Sequence, residues 1–350
     1  MVMGMGGATA TGKSKLAVDL ALRFGGEVVN SDKIQVHDGL DVVTNKVTAE
    51  ERRGVPHHLI GGVAPDADYT AADFRRDAAR AVDSVLARGR VPILAGGSNR
   101  YLEALLDGGY GEPEPSFRRR HELCFLWVDA DEPVLRRYIR DRVDRMLEQG
   151  LVGEVRGVFR PDADYSVGIR RAIGVPEMDA YLRLEAAGAL DGGGGGRRRE
   201  RVLAAAVDAI KENTCALARR QRRKIQRLRG LPGWNLRRLD ATAALALKVG
   251  DGEVREPDAE RAAWEADVAA PAARVVAAFL GANSKKDDGD GGVAAAADRE
   301  SGHGGDRHGG GAVWLAGGEG GGGARPGISW NGDGGRHAGF NLTVISTSVC

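Results

Sequence analysis

The chain has 350 residues, 42% hydrophobic, 28% charged and only 5% aromatic, with a formal net charge of +1. The length exceeds the roughly 100–200 residues of one domain and can bury a real core, and the near-zero charge excludes a global basic field for nucleic acid, so any anion site must be local. No apolar run reaches the about 18 residues of a membrane span, and Cys124, Cys215 and Cys350 are too few and too scattered for a disulfide framework or a metal cluster, which suits a reducing compartment.

The opening MVMGM reads as a strand, followed by a Gly-rich loop and a helix that begins at Lys13-Ser14 and continues through LAVDLALRF. GEVVNSD is a second strand ending at Asn30-Ser31-Asp32. Thr70 and Asp73 have capping-box spacing, and Phe74, Ala78, Val82, Val85 and Leu86 share one face, so a helix is expected there. It stops at ARGR. VPILAGG is then a buried strand that turns at Gly96-Gly97 into the helix SNRYLEALL, and LCFLWVDAD is another strand. Asp131 and Pro133 mark the start of a helix over VLRRYIRDRVDRMLEQG. The longest helix is expected from about Glu200 to Arg229, on the three-to-four spacing of Leu203, Val207, Ile210, Thr214, Leu217, Ile225 and Leu228. Gly192 to Gly196, before Arg197 to Arg199, reads as a surface loop.

The resulting fold class is α/β, a P-loop NTPase-like parallel sheet flanked by helices, with a mainly helical part over about residues 115–230. Residues 1–282 form the folded domain in this reading, and 283–350, rich in Gly, Ala, Asp and Arg without periodicity, form a disordered tail. Because a strand starts at the first residues, no leader is visible. A cytosolic location is expected as the sequence is written, and a plastid or mitochondrion if a leader precedes it.

Gly7-Ala8-Thr9-Ala10-Thr11-Gly12-Lys13-Ser14 fits G-x-x-x-x-G-K-[ST] in full, between a predicted strand and a predicted helix. Backbone N–H groups in such a loop form an anion nest, the helix N-terminus adds positive potential, Lys13 adds a point charge and the Ser14 hydroxyl can bind Mg²⁺. The bland alternative is a glycine turn that binds nothing. Most P-loop proteins hold ATP or GTP there with an acidic residue on a later strand. VPILAGG ends in glycine, and Asp129 in LCFLWVDAD reads better as a strand-end or helix-capping carboxylate. Asp32 ends the second strand, where the carboxyl ends of a parallel sheet face the ligand crevice. From position alone, a catalytic base and a solvated carboxylate fit it equally well.

GATATGKSKLAVDLALRFGGEVVNSDKIQV, GLDVVTNKVT, GVPHHLIG, YTAADFRRDA, ILAGGSNRYLEALL, GIRRAIGVPE and NTCALARRQRRKIQRL closely resemble plant adenylate isopentenyltransferases, the enzymes that make cytokinin precursors. The likeness runs from about Val2 to Leu280 and includes Trp264 and AARVVAAFL. It implies a P-loop used for a leaving group: Thr9, Lys13, Ser14 and Mg²⁺ would hold the diphosphate of dimethylallyl diphosphate. Asp32 would take the proton of the adenine N6 amine as N6 attacks the allylic C1. Arg171 in GIRRAIG would neutralise the departing diphosphate, with Arg170 the adjacent alternative. Lys211, Arg219 and Arg220 would hold the nucleotide's own phosphates, though for this cluster, with Arg222, Arg223 and Lys224, a solvated helix face is an equally good reading. ADP or ATP is the implied acceptor, with AMP also allowed.

The sequence departs from the family pattern at His37, where a tyrosine is expected, and at Arg100, where a small residue is more usual. His57-His58 fits the family, and would otherwise read as loop histidines. A tRNA dimethylallyltransferase is disfavoured by the short, weakly basic stretch between GGSNRYLEALL and GIRRAIG, and by the lack of a C-x₂-C zinc pattern near the C-terminus. A small-molecule kinase would need the missing Walker-B acid. A silent nucleotide-binding protein would not need Lys13, Ser14, Asp32 and Arg171 together. No membrane or nucleic-acid partner is expected, and the protein is expected to be a monomer.

Overall fold

The computed structural model describes residues 1–108, 116–190, 195–249 and 257–287. The expected tail beyond residue 287 and the glycines at 192–194 lie outside the described residues. β1 (Val2–Gly7) is buried at every position and leads through the Gly-rich loop into α1 (Lys13–Phe24) and β2 (Gly26–Asn30). After α2 (Ala49–Arg52) and the two-residue β3 (His57–His58) come α3 (Ala71–Ala87), β4 (Val91–Ala95) and α4 (Asn99–Asp107). The Thr70–Asp73 capping box forms as its spacing predicts, with the Thr70 side chain accepting from the Asp73 N–H.

α5 (Phe117–Arg120) precedes β5 (Leu123–Asp129), then α6 (Glu132–Glu148) with Asp131 as N-cap, α7 (Leu151–Val158), a 3₁₀ turn (Gly168–Arg171), α8 (Val175–Ala186) and α9 (Gly195–Arg229). β6 (Leu236–Asp240), α10 (Thr242–Lys248), α11 (Pro257–Trp264), a π-turn (Glu265–Ala269) and α12 (Ala270–Asp287) complete the described chain. All strand pairs are parallel, in the order β3-β2-β4-β1-β5-β6.

Several boundaries differ from the sequence expectation. The strand read at LCFLWVDAD is β5, so the mainly helical part starts after it, at α6, and not near residue 115. Gly195 and Gly196 belong to α9, and α12 runs past residue 282 to Asp287. β3 is too short to show a period. β6 buries only Leu239, because it is an edge strand that turns its arginines outward, so no apolar run marks it.

Met3, Met5, Val28, Ile93, Leu126 and Val128 face a core shared with α1 and the C-terminal helices, while Val2, Val29, Leu94 and Phe125 face α3 and α4. Neighbouring residues divide between the two because side chains alternate along a strand. With both faces covered, the central strands read as continuous apolar runs. A third core, with Val143, Leu151, Met178 and Ile210, holds α6 to α9 together and takes in Leu40 and Val43 from the loop after β2.

The edge of the sheet is fastened by a buried carboxylate. Glu27 of β2, its side chain 8% exposed, accepts from Arg88 Nη2 at 2.7 Å and sits 2.7 Å from His58 Nε2. The Arg88 guanidinium, outweighing the cost of burial, holds the Glu27 carboxyl below its ordinary value of 4.5. A depressed carboxylate stabilises the fold above its ordinary pKa, and that contribution is lost as pH falls through the folded value. Glu27→Gln should therefore lower stability at neutral pH by about 1–2 kcal/mol and flatten the acid side of the stability profile in denaturant titrations. Superimposable acid limbs for the two proteins would remove Glu27 from this role.

Candidate active site

Because the strands are parallel, the carboxyl ends of β1, β2, β4 and β5 open at one edge of the sheet, and the chain places there the Gly-rich loop, Asp32, Gly96-Gly97 and Asp129. The loop between β1 and α1 has the backbone of an anion nest. Ala10 and Gly12 adopt φ of +68° and +90°, and Gly12 caps α1, so successive N–H groups turn toward one point. A methyl on Gly12 would lie 2.6 Å from Cη2 of Trp264, which returns from the last helices to pack on the loop. The Trp264 indole N–H donates to Asp19 at 3.0 Å, and Lys15 lies 4.1 Å from the ring centroid.

Lys13 is 8% exposed, and its ammonium donates to the Ala8 carbonyl at 2.5 Å. Burial pushes its pKa down to about 8, Asp32 pulls it back up, and Arg142 lowers it further. The resting partner of Lys13 is thus a neutral carbonyl, which an incoming anion would outcompete. Thr11, fully buried, donates to the same Ala8 carbonyl at 3.0 Å.

Gln221 of α9 ties the P-loop to the turn from β4 into α4. Its Oε1 accepts from the Thr9 N–H at 2.7 Å, its Nε2 donates to the Gly97 carbonyl at 3.0 Å, and its main-chain carbonyl accepts from Asn99 Nδ2 at 3.3 Å. A methyl on Gly97 would fall 2.5 Å from Gln221 Nε2 and 3.3 Å from Asp32 Oδ2, so only glycine lets β4, α9 and Asp32 meet. Asp32 is set by Asn30, whose Oδ1 accepts the Asp32 N–H at 3.1 Å. Its Oδ1 accepts from the Ile34 N–H at 3.0 Å. Its Oδ2 accepts no hydrogen bond among the described residues and faces the crevice beside Gly97.

The two arginines of GIRRAIG part company. Arg170 is ion-paired with Asp66. Arg171 donates to the Gly168 carbonyl at 3.2 Å and reaches Asp68 at 3.5 Å. The Tyr101 hydroxyl, which donates to the Tyr69 carbonyl at 2.9 Å, feels both Arg171 and Asp32, while burial is the main reason its pKa rises to about 12. Arg171 therefore lies near Tyr101, to which Asp68 and Tyr69 connect it. His37 is fully buried, with Nδ1 3.2 Å from the Ala64 carbonyl, and burial keeps its pKa low. His57 and His58 lie on edge strand β3, separated from β1 by β2 and β4.

The basic cluster expected on α9 is divided. Lys211 pairs with Asp144 at 2.6 Å, Arg219 with Glu132 at 4.0 Å, and Arg222 with Asp129 at 3.1 Å. Arg220, half-buried, has no ion-pair partner among the described residues. At about 100° per residue, Lys211 and Arg220 emerge on opposite flanks of the helix, so the structure does not bring them together. Asp129, 1% exposed, is held by Arg222 and, at 2.9 Å, by Arg238 of β6. It is a strand-end carboxylate in ion pairs, and α6 takes Asp131 as its N-cap.

Gln221, Asn99 and Arg142 are site residues that the sequence reading missed. Each left a trace. Gln221 fills the gap between Leu217 and Ile225 in the apolar stripe of α9. Arg142 stands three residues after Ile139 and four before Met146, on the buried face of α6. A polar residue inside an apolar stripe was the available signal.

Comparison with known proteins places this geometry. The profile of the IPP transferase family matches residues 35–123 and 110–227. The chain is 52% identical over 276 residues to Adenylate isopentenyltransferase 5, chloroplastic, of Arabidopsis thaliana, covering 78% of each protein. It is 47% identical over 280 residues to Adenylate isopentenyltransferase 7, mitochondrial, of the same plant, covering 80% of each. Among solved structures, a eukaryotic dimethylallyltransferase acting on tRNA superposes with a TM-score of 0.62 over 80% of this chain and 79% of that one, at 22% identity, a likeness of fold.

The lowered Lys13 pKa gives the loop a pH signature. Affinity for inorganic pyrophosphate, measured calorimetrically, should weaken as pH rises through about 8, by up to about tenfold per unit beyond it. Lys13→Met should remove most of the affinity and the pH dependence. A flat wild-type profile would show that Lys13 does not meet the anion.

Proposed function

Since this chain belongs to the adenylate isopentenyltransferase family, we propose that it transfers a dimethylallyl group from dimethylallyl diphosphate to N6 of an adenine nucleotide, a first step of cytokinin synthesis. The observation that carries the reading is the position of Asp32: a carboxylate with a free Oδ2, close enough to favour the charge of Lys13, beside a P-loop whose cations make no direct ion pair among the described residues. In the transfer, a bond forms between N6 and the allylic C1, the bond from C1 to the diphosphate oxygen breaks, and the N6 proton passes to Asp32. The leaving diphosphate stays in the loop against its N–H groups and Lys13. Catalysis is then electrostatic stabilisation of the leaving group together with positioning of the amine.

The loop fits a Mg²⁺ carried in with the diphosphate. Ser14 is exposed, its hydroxyl makes no internal hydrogen bond among the described residues, and a single protein ligand suffices where phosphate oxygens and water complete the shell. When bound, the ion supplies positive charge to the leaving group. Arg171 adds charge from the 3₁₀ turn on the Asp32 side. Arg220 has no ion-pair partner among the described residues and is placed to meet the acceptor's own phosphates, whereas Lys211 is engaged with Asp144; ADP or ATP is the acceptor that the likeness to the plant enzymes favours.

With both sheet faces covered and the exposed large apolar side chains, Leu22, Leu231 and Leu247, isolated from one another in sequence, the working unit in this reading is a monomer. No described helix is long and apolar enough to cross a membrane. The relatives' chloroplastic and mitochondrial names favour an organelle if a leader precedes Met1, and the cytosol otherwise.

Purified protein with Mg²⁺ and dimethylallyl diphosphate, offered AMP, ADP, ATP and unmodified tRNA separately, should yield prenylated ADP or ATP by mass spectrometry. Asp32→Ala should cut the rate by about 10²–10⁴. Modification of tRNA alone would transfer the chain to the tRNA enzymes, and ATP consumed without prenyl donor would indicate a kinase.

A further inference from the structure

Arg171 sits on a four-residue 3₁₀ turn, and what fixes that turn is a largely exposed strap, residues 63–68. The Ile169 N–H donates to the Pro65 carbonyl at 2.8 Å, Arg170 pairs with Asp66, and Arg171 reaches Asp68 at 3.5 Å. Gly168, at φ +57°, lies so close to the Pro65 carbonyl that a methyl on it would not fit. The strap itself is held from beneath by His37. That residue is fully buried, its Nδ1 lies 3.2 Å from the Ala64 carbonyl, and its main chain bridges to Val63. The His37 N–H in turn donates to the Ile34 carbonyl at 3.1 Å, and the Ile34 N–H donates to Asp32 Oδ1 at 3.0 Å. One imidazole thus stands between the turn that carries Asp32 and the strap that carries the arginine.

A carbonyl can only accept, so Nδ1 carries the proton, and a neutral ring leaves Nε2 bare. Nε2 is shut off from solvent with no hydrogen-bond partner among the described residues, so a second proton there has no acceptor. The charged groups around the ring are Arg171, Lys46 and Asp68, with Lys46 paired to Asp41 at 2.8 Å and Asp66 paired to Arg170. Burial above all holds the His37 pKa below its ordinary 6.5; the Ala64 carbonyl opposes this, Arg171 and Lys46 lower it further, and Asp68 raises it. We propose that neutral His37 is a positioning residue, which sets the arginine turn at a fixed separation from Asp32 through the Ala64 carbonyl. Protonation puts a third cation against Arg171 and Lys46 and an unsatisfied N–H in a closed site, and drives the ring and the strap out of place. The unfolded chain takes up that proton at the ordinary pKa and the folded chain only below it, so the link is intact at neutral pH and is lost as pH falls through a folded value under 6.5.

This assignment rests on the proposed transfer for the roles of Asp32 and Arg171, so its test pairs turnover with two readouts that need none. In the full chain, nitrogen NMR should show a proton on His37 Nδ1 and none on Nε2 at neutral pH, with the second proton arriving below 6.5. Exchange protection of the Ile169 amide, corrected for the intrinsic pH dependence of exchange, should fall as that proton arrives. His37→Phe should lose this protection at neutral pH and lower kcat by up to about 100-fold, the loss that a misplacement of about 1 Å can bring, with KM for dimethylallyl diphosphate unchanged. His37→Asn, whose amide nitrogen stands in for Nδ1 and does not titrate, should restore most of both and remove the acid limb that His37 adds to the kcat profile. Should His37→Phe not fold, the wild-type titration and His37→Asn decide. Wild-type kcat and Ile169 protection in His37→Phe, a proton on Nε2 in place of Nδ1, or an acid limb unchanged in His37→Asn would overturn the assignment. A chain that shows the tautomer and the pH-dependent protection but prenylates no adenine nucleotide keeps the link and loses the transferase reading.

Discussion

Parallel pairing of every strand is the constraint from which the site follows. In an antiparallel sheet the ends of consecutive strands alternate between two edges, but here the crossover helices return the chain so that β1, β2, β4 and β5 all finish at the same edge. The P-loop, Asp32, Gly97 and Asp129 come from distant parts of the chain and share one rim for that reason alone. β1 lies centrally between β4 and β5, which puts the phosphate nest between the strand that positions Asp32's neighbour Gly97 and the strand anchored to α9 through Asp129.

A rim of loops still has to be held at fixed separation, and α9 does this with one buried amide. Gln221 uses its acceptor on Thr9, its donor on Gly97 and its backbone carbonyl on Asn99. A buried amide bonded through both its oxygen and its nitrogen adds geometric specificity, because every displaced partner would leave a polar group unsatisfied. Trp264 packs against Gly12, so the nest is braced both from α9 and from the C-terminal helices.

Charge is distributed by the same logic. Several cations around the rim are matched: Arg222 and Arg238 by Asp129, Lys211 by Asp144, Arg170 by Asp66. Lys13 and Arg142, at the nest, have only a carbonyl and a hydroxyl as hydrogen-bond partners among the described residues. Positive charge that the fold leaves without a direct ion pair at the nest defines an anion site more sharply than the total charge of the chain, which is +1.

What the sequence determined by itself was local. The P-loop, the Thr70–Asp73 box and the apolar runs of β1, β4 and β5 each encode their conformation in a few adjacent residues, and the motifs quoted from Val2 to Leu280 named the family. Tertiary structure decided what depends on separations of a hundred residues or more. It separated Lys211 from Arg220, which the likeness to the family had assigned to one phosphate site, and turned the Asp129 carboxylate toward two arginines. It also brought Arg142 and Gln221 into the P-loop from 133 and 212 residues away. Those contacts were invisible in advance because a helix has a face only once something is packed against it, and a polar residue in an apolar stripe acquires a role only when the fold supplies its partner.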